Sequence, residues 1–255
     1  VLAGEIIDII EKVAPLSQQQ SWDNSGLQIG QRDVEITSAL LCTDITEAVL
    51  EEAVSRGCGM VISHHPLLFH GLKHLCGLTP QERCTKYAIK HDLVIYSSHT
   101  SMDTYLKGVS GRMALKLGMT DYEILSSTGE GVGLGVVGNL KEPLEPMAFL
   151  ERLKQVFAAP VVKYTKSDHR LIKRVAMCGG AGSEFLEQAV SAGADAYISA
   201  DFKYHEFQMA DGRIMIADIG HFESEQYTKE IFSELLSDHI TCCMAESDKS
   251  PVLIY

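Results

Sequence analysis

The chain has 255 residues, enough for one large domain or two small ones that bury a core without staples. Hydrophobic residues at 45% and charged residues at 22% are ordinary globular usage and exclude a disordered or low-complexity chain. Lys and Arg number 22 against 34 Asp and Glu, a net charge of −12 that argues against duplex DNA or an anionic membrane as main partner. A small anionic substrate stays open, because one local cation or metal offsets a global sign.

No apolar run reaches the ~18 residues of a membrane helix. Nothing near Val1 reads as a secretory leader, and a start at Val1 rather than Met reads as a trimmed terminus. The seven cysteines are scattered, without a C-x-x-C, and read as reduced thiols of a cytoplasmic protein. No membrane contact and no sequence-specific nucleic acid is expected.

In chain order, Leu2 to Val13 sets Ile6, Ile7, Ile10 and Val13 at helical spacing, with Pro15 as a stop. A polar loop runs from Ser17 to Asn24. Ile36 to Cys42 reads as a strand, and Thr43 to Thr46 offers caps for a helix to about Ser55. Gly59 to Ser63 is a short apolar strand of the parallel-sheet kind. Pro80 to His91 reads as a helix, Leu93 to Ser97 as a strand and Lys107 to Leu117 as a helix. Ser126 to Gly138, rich in Gly and Ser, reads as a linker or as a strand with close backbone approach, and sets the domain boundary. Beyond it come a helix (Met147 to Phe157), strands (Pro160 to Tyr164, Ile172 to Cys178), a helix (Ser183 to Ala192) and a strand (Ala196 to Ser199). A helix (Lys203 to Ala210), a strand (Arg213 to Ala217) and a helix (Phe222 to Leu236) follow. The alternation predicts an α/β fold with two α/β lobes, 1–125 and 126–255, and largely parallel or mixed sheets.

Chemistry concentrates at strand ends, where parallel α/β sheets present their ligand-binding residues. His64 and His65 follow Gly59 to Ser63; neighbours in extended backbone point to opposite sides, so one imidazole can reach one ion and its neighbour another. His99 and Asp103 follow Leu93 to Ser97. His221 and Glu225 follow Arg213 to Ala217 at i, i+4 spacing and share a helix face. Each set also has a plain reading: satisfied imidazoles, Asp103 as a cap, Glu225 as a solvated helical charge. Together, three imidazoles (His64, His65, His221) and two carboxylates (Asp103, Glu225) suit Zn, Mn, Fe or Co, and suit Ca poorly. Two such ions ~3.5–4 Å apart could share a bridging carboxylate. In Asp201 to Glu206, Lys203 could meet an anionic group and His205 carry a proton. Equally, Asp201 caps the helix while Lys203 and Glu206 decorate its exposed face. Gly131 to Gly135 lacks the strand–turn–helix setting and acidic residue of a dinucleotide fingerprint, and P-loop and G-x-S-x-G motifs are absent from the sequence.

Trp22 to Gly30 (WDNSGLQIG), Ser63 to Pro66 (SHHP), His99 to Asp103 (HTSMD), Gly179 to Ser183 (GGAGS), Ala200 to His205 (ADFKYH) and Gly220 to Glu225 (GHFESE) occur in that order. The ordered set resembles the GTP cyclohydrolase I type 2 homolog family, also called NIF-three-like, over nearly the whole chain. The resemblance implies a dinuclear metal site of His64, His65, Asp103, His221 and Glu225 in the cleft between two α/β lobes, with two divalent ions per subunit (Zn, Mn or Fe). It also implies a ring-shaped homohexamer. Many relatives carry an inserted central domain, for which Leu125 to Gly131 is too short here. The implied activity is metal-dependent hydrolysis of a small anionic substrate, nucleotide ring opening being the named case, with His99, His205 and Lys203 as catalytic candidates. The alternatives are a non-enzymatic binding or regulatory ring with structural metals and a protein partner, or a metal chaperone.

Overall fold

The three apolar strands expected in the first hundred residues lie side by side in one sheet. The computed structural model describes residues 1–166, 168 and 170–255. Residues up to 102 form α1 (Ala3–Val13), β1 (Gly26–Ile29), β2 (Ser38–Cys42), α2 (Glu47–Ser55), β3 (Met60–Ser63), α3 (Pro80–Lys90) and β4 (Val94–Ser97). Then come α4 (Thr100–Asp103), α5 (Val109–Lys116), β5 (Tyr122–Gly129), β6 (Val132–Leu144), α6 (Pro146–Phe157), β7 (Lys163–Tyr164) and β8 (Ile172–Ala181). They are followed by α7 (Leu186–Ser191), β9 (Ala196–Ala200), α8 (Tyr204–Gln208), β10 (Met215–Asp218) and α9 (His221–Glu225), and the last elements are α10 (Thr228–Leu236) and β11 (Thr241–Met244). The chain divides into two units, 1–102 with 228–249, and 103–227 with 250–255. Among the described residues, no helix is long and apolar enough to cross a membrane.

The first unit holds a sheet ordered β1-β4-β3-β2-β11, parallel throughout except for β1. β3 and β4 are buried at every residue, as strands covered on both faces must be. The register aligns Cys42 with Ser63 and Ser63 with Ser97. Asp44, His65 and His99, each two residues beyond, therefore emerge together at the carboxyl end of these parallel strands. Leu40, Val61 and Ile95 of the sheet pack with Val49 and Leu50 of α2. α1 buries Ile6, Ile7 and Ile10, its apolar stripe.

Glu52 holds the end of β11. It accepts the N–H groups of Glu246 (3.0 Å) and Ser247 (2.9 Å) and the Ser247 hydroxyl (2.5 Å). Partial burial would raise its pKa, but these bonds and Arg56 outweigh burial and hold it down at about 2. A depressed acid contributes stability above its ordinary pKa of ~4.5 and loses it as pH falls toward the folded value. With solvent screening the term is about 1 kcal/mol. Protection of the Glu246 and Ser247 amides, taken relative to their intrinsic exchange rates at each pH, should therefore fall between pH 4.5 and 2.5 in wild type; in Glu52→Gln it should be low already at pH 6. Equal protection of the two chains at pH 6 would refute the clasp.

The second unit holds a sheet ordered β5-β6-β8-β9-β10-β7, with β8, β9 and β10 parallel and the outer strands antiparallel. Its core includes Phe149, Leu153 and Phe157 of α6 against Val175, Met177 and Ile198. The Gly- and Ser-rich stretch expected at a boundary is the β5–β6 hairpin inside this unit. Gly133 belongs there because a Cβ would stand 2.3 Å from the Ser126 carbonyl of the partner strand. The chain passes between units at Met102–Asp103, at Tyr227–Thr228 and at Lys249–Ser250. The expected helix from Phe222 to Leu236 is two helices, α9 and α10. The expected strand from Pro160 shrinks to β7, because only Lys163 and Tyr164 pair with β10.

Candidate metal centre

In the first unit, the backbone continues the sheet past β3: the His64 and His65 N–H groups donate to Cys42 O (3.2 Å) and Thr43 O (3.0 Å). The histidine pair is thus fixed by ladder geometry rather than carried on a free loop. His64 is fully buried; His65 and His99 are mostly covered. The ring centroids lie 4.9 Å (His64–His65), 5.2 Å (His64–His99) and 5.2 Å (His65–His99) apart. One nitrogen of each ring lies within 4.8 Å of the others, close enough for all three to hold one ion.

Every ring is oriented through Nδ1. His64 Nδ1 lies 3.1 Å from Ser98 O, His65 Nδ1 2.7 Å from Asp44 Oδ1, and His99 Nδ1 2.8 Å from Asp23 Oδ1. A carbonyl or carboxylate only accepts, so Nδ1 carries a proton, and in the neutral ring the lone pair is then on Nε2. Asp23 is fully covered and also accepts the Thr100 N–H (3.0 Å), the Thr100 hydroxyl (2.5 Å) and the Ser25 hydroxyl (2.8 Å). Burial would raise its pKa, but the bonds from His99, Thr100 and Ser25 prevail and hold it well below the usual carboxylate range. Asp23 is therefore an anion at any working pH, and a permanent acceptor for His99.

The second unit carries its own donor pair. Gly220, at φ 97°, turns the chain after β10 into α9. One helical turn sets His221 Nε2 3.1 Å from Glu225 Oε2, and His221 Nδ1 lies 2.7 Å from Asp201 Oδ2. Asp201 follows β9 in the left-handed region, at φ 58°. Gly180 lies against the pair: a Cβ there would stand 2.2 Å from Glu225 Oε1 and 3.3 Å from His221 Cε1. Gly180 N donates to Ser224 Oγ (2.8 Å), which donates to His221 O (2.8 Å). Asp103 and Glu225 both act on the Cys178 thiol: burial first, then these two charges, raise its pKa and keep it protonated.

Thus His64, His65 and His99 come together in one unit, and His221 and Glu225 in the other. Lys203 and His205 stand exposed at the start of α8, where Glu206 accepts the Lys203 N–H at 2.6 Å and His205 meets Gln208 at 3.5 Å. That is a helix-cap arrangement. Asp23, Asp44 and Asp201 orient three of the four imidazoles, and sequence reading gave none of them that part. Asp44 and Asp201 each lie just past a parallel strand, the signal that marked the histidines. The donor set fits a transition-metal ion: imidazole and carboxylate donors, with the other ring nitrogen tied to oxygen, as in metal-binding histidines generally.

The family model of Duf34/NIF3 (NGG1p interacting factor 3) matches residues 1–251. A Streptococcus pneumoniae protein named GTP cyclohydrolase 1 type 2 homolog is 34% identical over 240 residues, 91% of this chain and 89% of its own. A Clostridium perfringens protein of the same name is 33% identical over 227 residues, 87% of this chain and 86% of its own. A hypothetical protein of Staphylococcus aureus superposes with TM-score 0.93 at 25% identity, covering 100% of this chain and 99% of that one. A Bacillus cereus protein related to NIF3 superposes with TM-score 0.91 at 21% identity over 100% of this chain and 99% of its own, a likeness of fold alone.

Proposed function

Because the chain belongs to the Duf34/NIF3 family, we propose that it is a metal-dependent hydrolase of a small anionic substrate, with two divalent ions (Zn, Mn or Fe) held by His64, His65, Asp103, His221 and Glu225. One observation carries the metal reading. In His64, His65 and His99 alike, Nδ1 is committed to an oxygen, which turns Nε2 toward the shared donor cluster, and His221 Nε2 lies against its fellow donor Glu225. Bound divalent ions supply Lewis acidity and make water a competent nucleophile near neutral pH. The chain's own residues supply the rest. Asp23 holds the Nδ1 proton of His99, so that His99 Nε2 can take a proton within the histidine group. Lys203 offers a cation to an anionic substrate, and His205 a second proton carrier. The relatives' name makes GTP the first nucleotide to try. The active form is a ring-shaped homohexamer, tested by sedimentation; a monomer at micromolar concentration would remove that element.

The test is metal content per chain, on protein purified without chelator or histidine tag, for wild type and His65→Ala side by side. About two ions per chain are expected, falling to about one or fewer in the variant. A wild type near zero after incubation with Zn and Mn would sink the reading. Loaded protein is then screened against GTP and phosphoesters, with and without chelator. Full metal content without turnover would leave metals of structural use, and chelation should then lower Tm.

A further inference from the structure

The WDNSGLQ motif has uses beyond Asp23. Asn24 Nδ2 donates to Leu68 O (2.6 Å), and the Leu68 N–H donates to Gln28 Oε1 (3.1 Å). Gln28 in turn donates from Nε2 to Asn24 O (2.8 Å), which closes the network. Leu68 is therefore gripped on both sides, and its neighbour Phe69 is held against Trp22 with ring centroids 5.9 Å apart. Both rings stand beside His99, Trp22 at 5.9 Å and Phe69 at 6.3 Å.

Trp22 is nevertheless 59% exposed and Phe69 37% exposed. A rigid scaffold that holds two aromatic rings in water forgoes burial that a folded chain normally takes. Phe69 also lines a pocket of about 660 Å³ with Asn24, Leu72, Leu75 and Thr85, a size suited to a small molecule. Thr85 is 5% exposed, and its hydroxyl has no hydrogen-bond partner among the described residues. Trp22 does not line this pocket, which lies beside the aromatic pair on the Phe69 side and has room for the polar part of a substrate.

We propose that Trp22 and Phe69 form a stacking wall that receives a flat heteroaromatic ring of the substrate beside the His64–His65–His99 group. The proposal rests on the hydrolase reading of that group and names what it acts on. The ring lies on the open face of Trp22. It does not enter between the aromatic rings, because a sandwich needs ~7 Å, two contacts of ~3.5 Å. Asn24 and Gln28 act through Leu68 as positioning residues.

Trp22 is the only tryptophan of the chain, so intrinsic tryptophan fluorescence reports this wall alone. Co2+ is titrated first, as a quencher that tests metal binding by itself. GMP and ribose 5-phosphate, which share the phosphoribosyl group and differ in the base, are then titrated with and without metal. GMP should change the emission saturably and bind roughly 10- to 100-fold more tightly than ribose 5-phosphate, the worth of one base–aromatic stack. Phe69→Ala keeps the fluorophore and should weaken GMP about 10-fold at unchanged Co2+ stoichiometry; Trp22→Ala, followed by calorimetry, should do the same. Equal affinity for the two ligands, or GMP binding untouched in both variants, overturns the proposal. If Co2+ fails to bind, the metal reading falls, and the two ligands on the metal-free chain still decide the wall. If neither ligand binds and Trp22→Ala changes the sedimenting mass, the wall is a protein contact and the proposal is wrong.

Discussion

Gly180→Ala is expected to disable the His221–Glu225 pair and to destabilise the protein by about 2–4 kcal/mol, the sum of left-handed backbone strain and overpacking. The φ of Gly180 is 65°, and the new Cβ would stand 2.2 Å from Glu225 Oε1. A surface glutamate would swing away. Glu225 is 3% exposed and its neighbour Ser224 is bound to Gly180 N, so the displacement falls on the donor pair itself. Gly193 supplies the control. It has φ 72° with nothing within 4 Å of its missing Cβ, so Gly193→Ala carries the strain without the collision. Urea denaturation and Co2+ titration of both variants separate the two effects. Gly193→Ala should lose about 1 kcal/mol and keep its metal. Equal loss of metal in both variants would show that strain, not the approach of Glu225, is responsible.

Asp248→Ala should cost about 3–4 kcal/mol, the usual penalty for breaking a buried charged network. Asp248 is nearly fully covered; it accepts Lys229 Nζ at 2.7 Å, the Thr43 N–H at 2.8 Å and the Asp44 N–H at 3.2 Å. Removing it takes an ammonium's partner and two backbone acceptors at once. The effect should travel further. Asp44 is the residue that orients His65, and its backbone is held by Asp248. Metal affinity of Asp248→Ala should therefore fall about 10-fold even though Asp248 is no ligand. Asp248→Asn should recover part of the stability, since an amide oxygen still accepts an N–H. If Asp248→Ala unfolds with a wild-type midpoint in urea, the network is not the anchor described here.

The strands β2, β3 and β4 were legible because each is a short apolar run buried on both faces, and the histidines because they follow such runs. The strands β1 and β11 escaped, and β5 and β6 were legible only as the strand alternative for one Gly- and Ser-rich stretch, Ser126 to Gly138. Gly26–Ile29 and Thr241–Met244 each pair with one neighbour only, at the two ends of a sheet, and their side chains are partly exposed. Such strands owe their form to a partner more than to their own pattern. Tyr122–Gly129 was obscured by its Ser and Gly content, which here serves close approach of two strands. The split between α9 and α10 was hidden because Phe222 to Leu236 has unbroken helical periodicity, while the chain changes unit at Tyr227–Thr228. At the site, donor types could be read because their chemistry is distinctive. The orienting carboxylates Asp23, Asp44 and Asp201 could not, because an aspartate after a strand looks like any helix cap or turn residue.

The weave of the chain bears on how it is made. The sheet of the first unit is complete only when β11 lies beside β2, and β11 begins 199 positions after β2 ends (Cys42 to Thr241). Until β11 has paired, residues 103–227 can hold their own sheet while the first unit still exposes the open edge of β2, a row of unpaired amide and carbonyl groups. A chain truncated after residue 235 should therefore keep the second unit protected from protease and leave β2 reactive toward aggregation partners. Pairing of β11 is the step that closes the first sheet, so truncations that remove it should cost solubility in the cell as well as the Asp248 and Glu52 anchors.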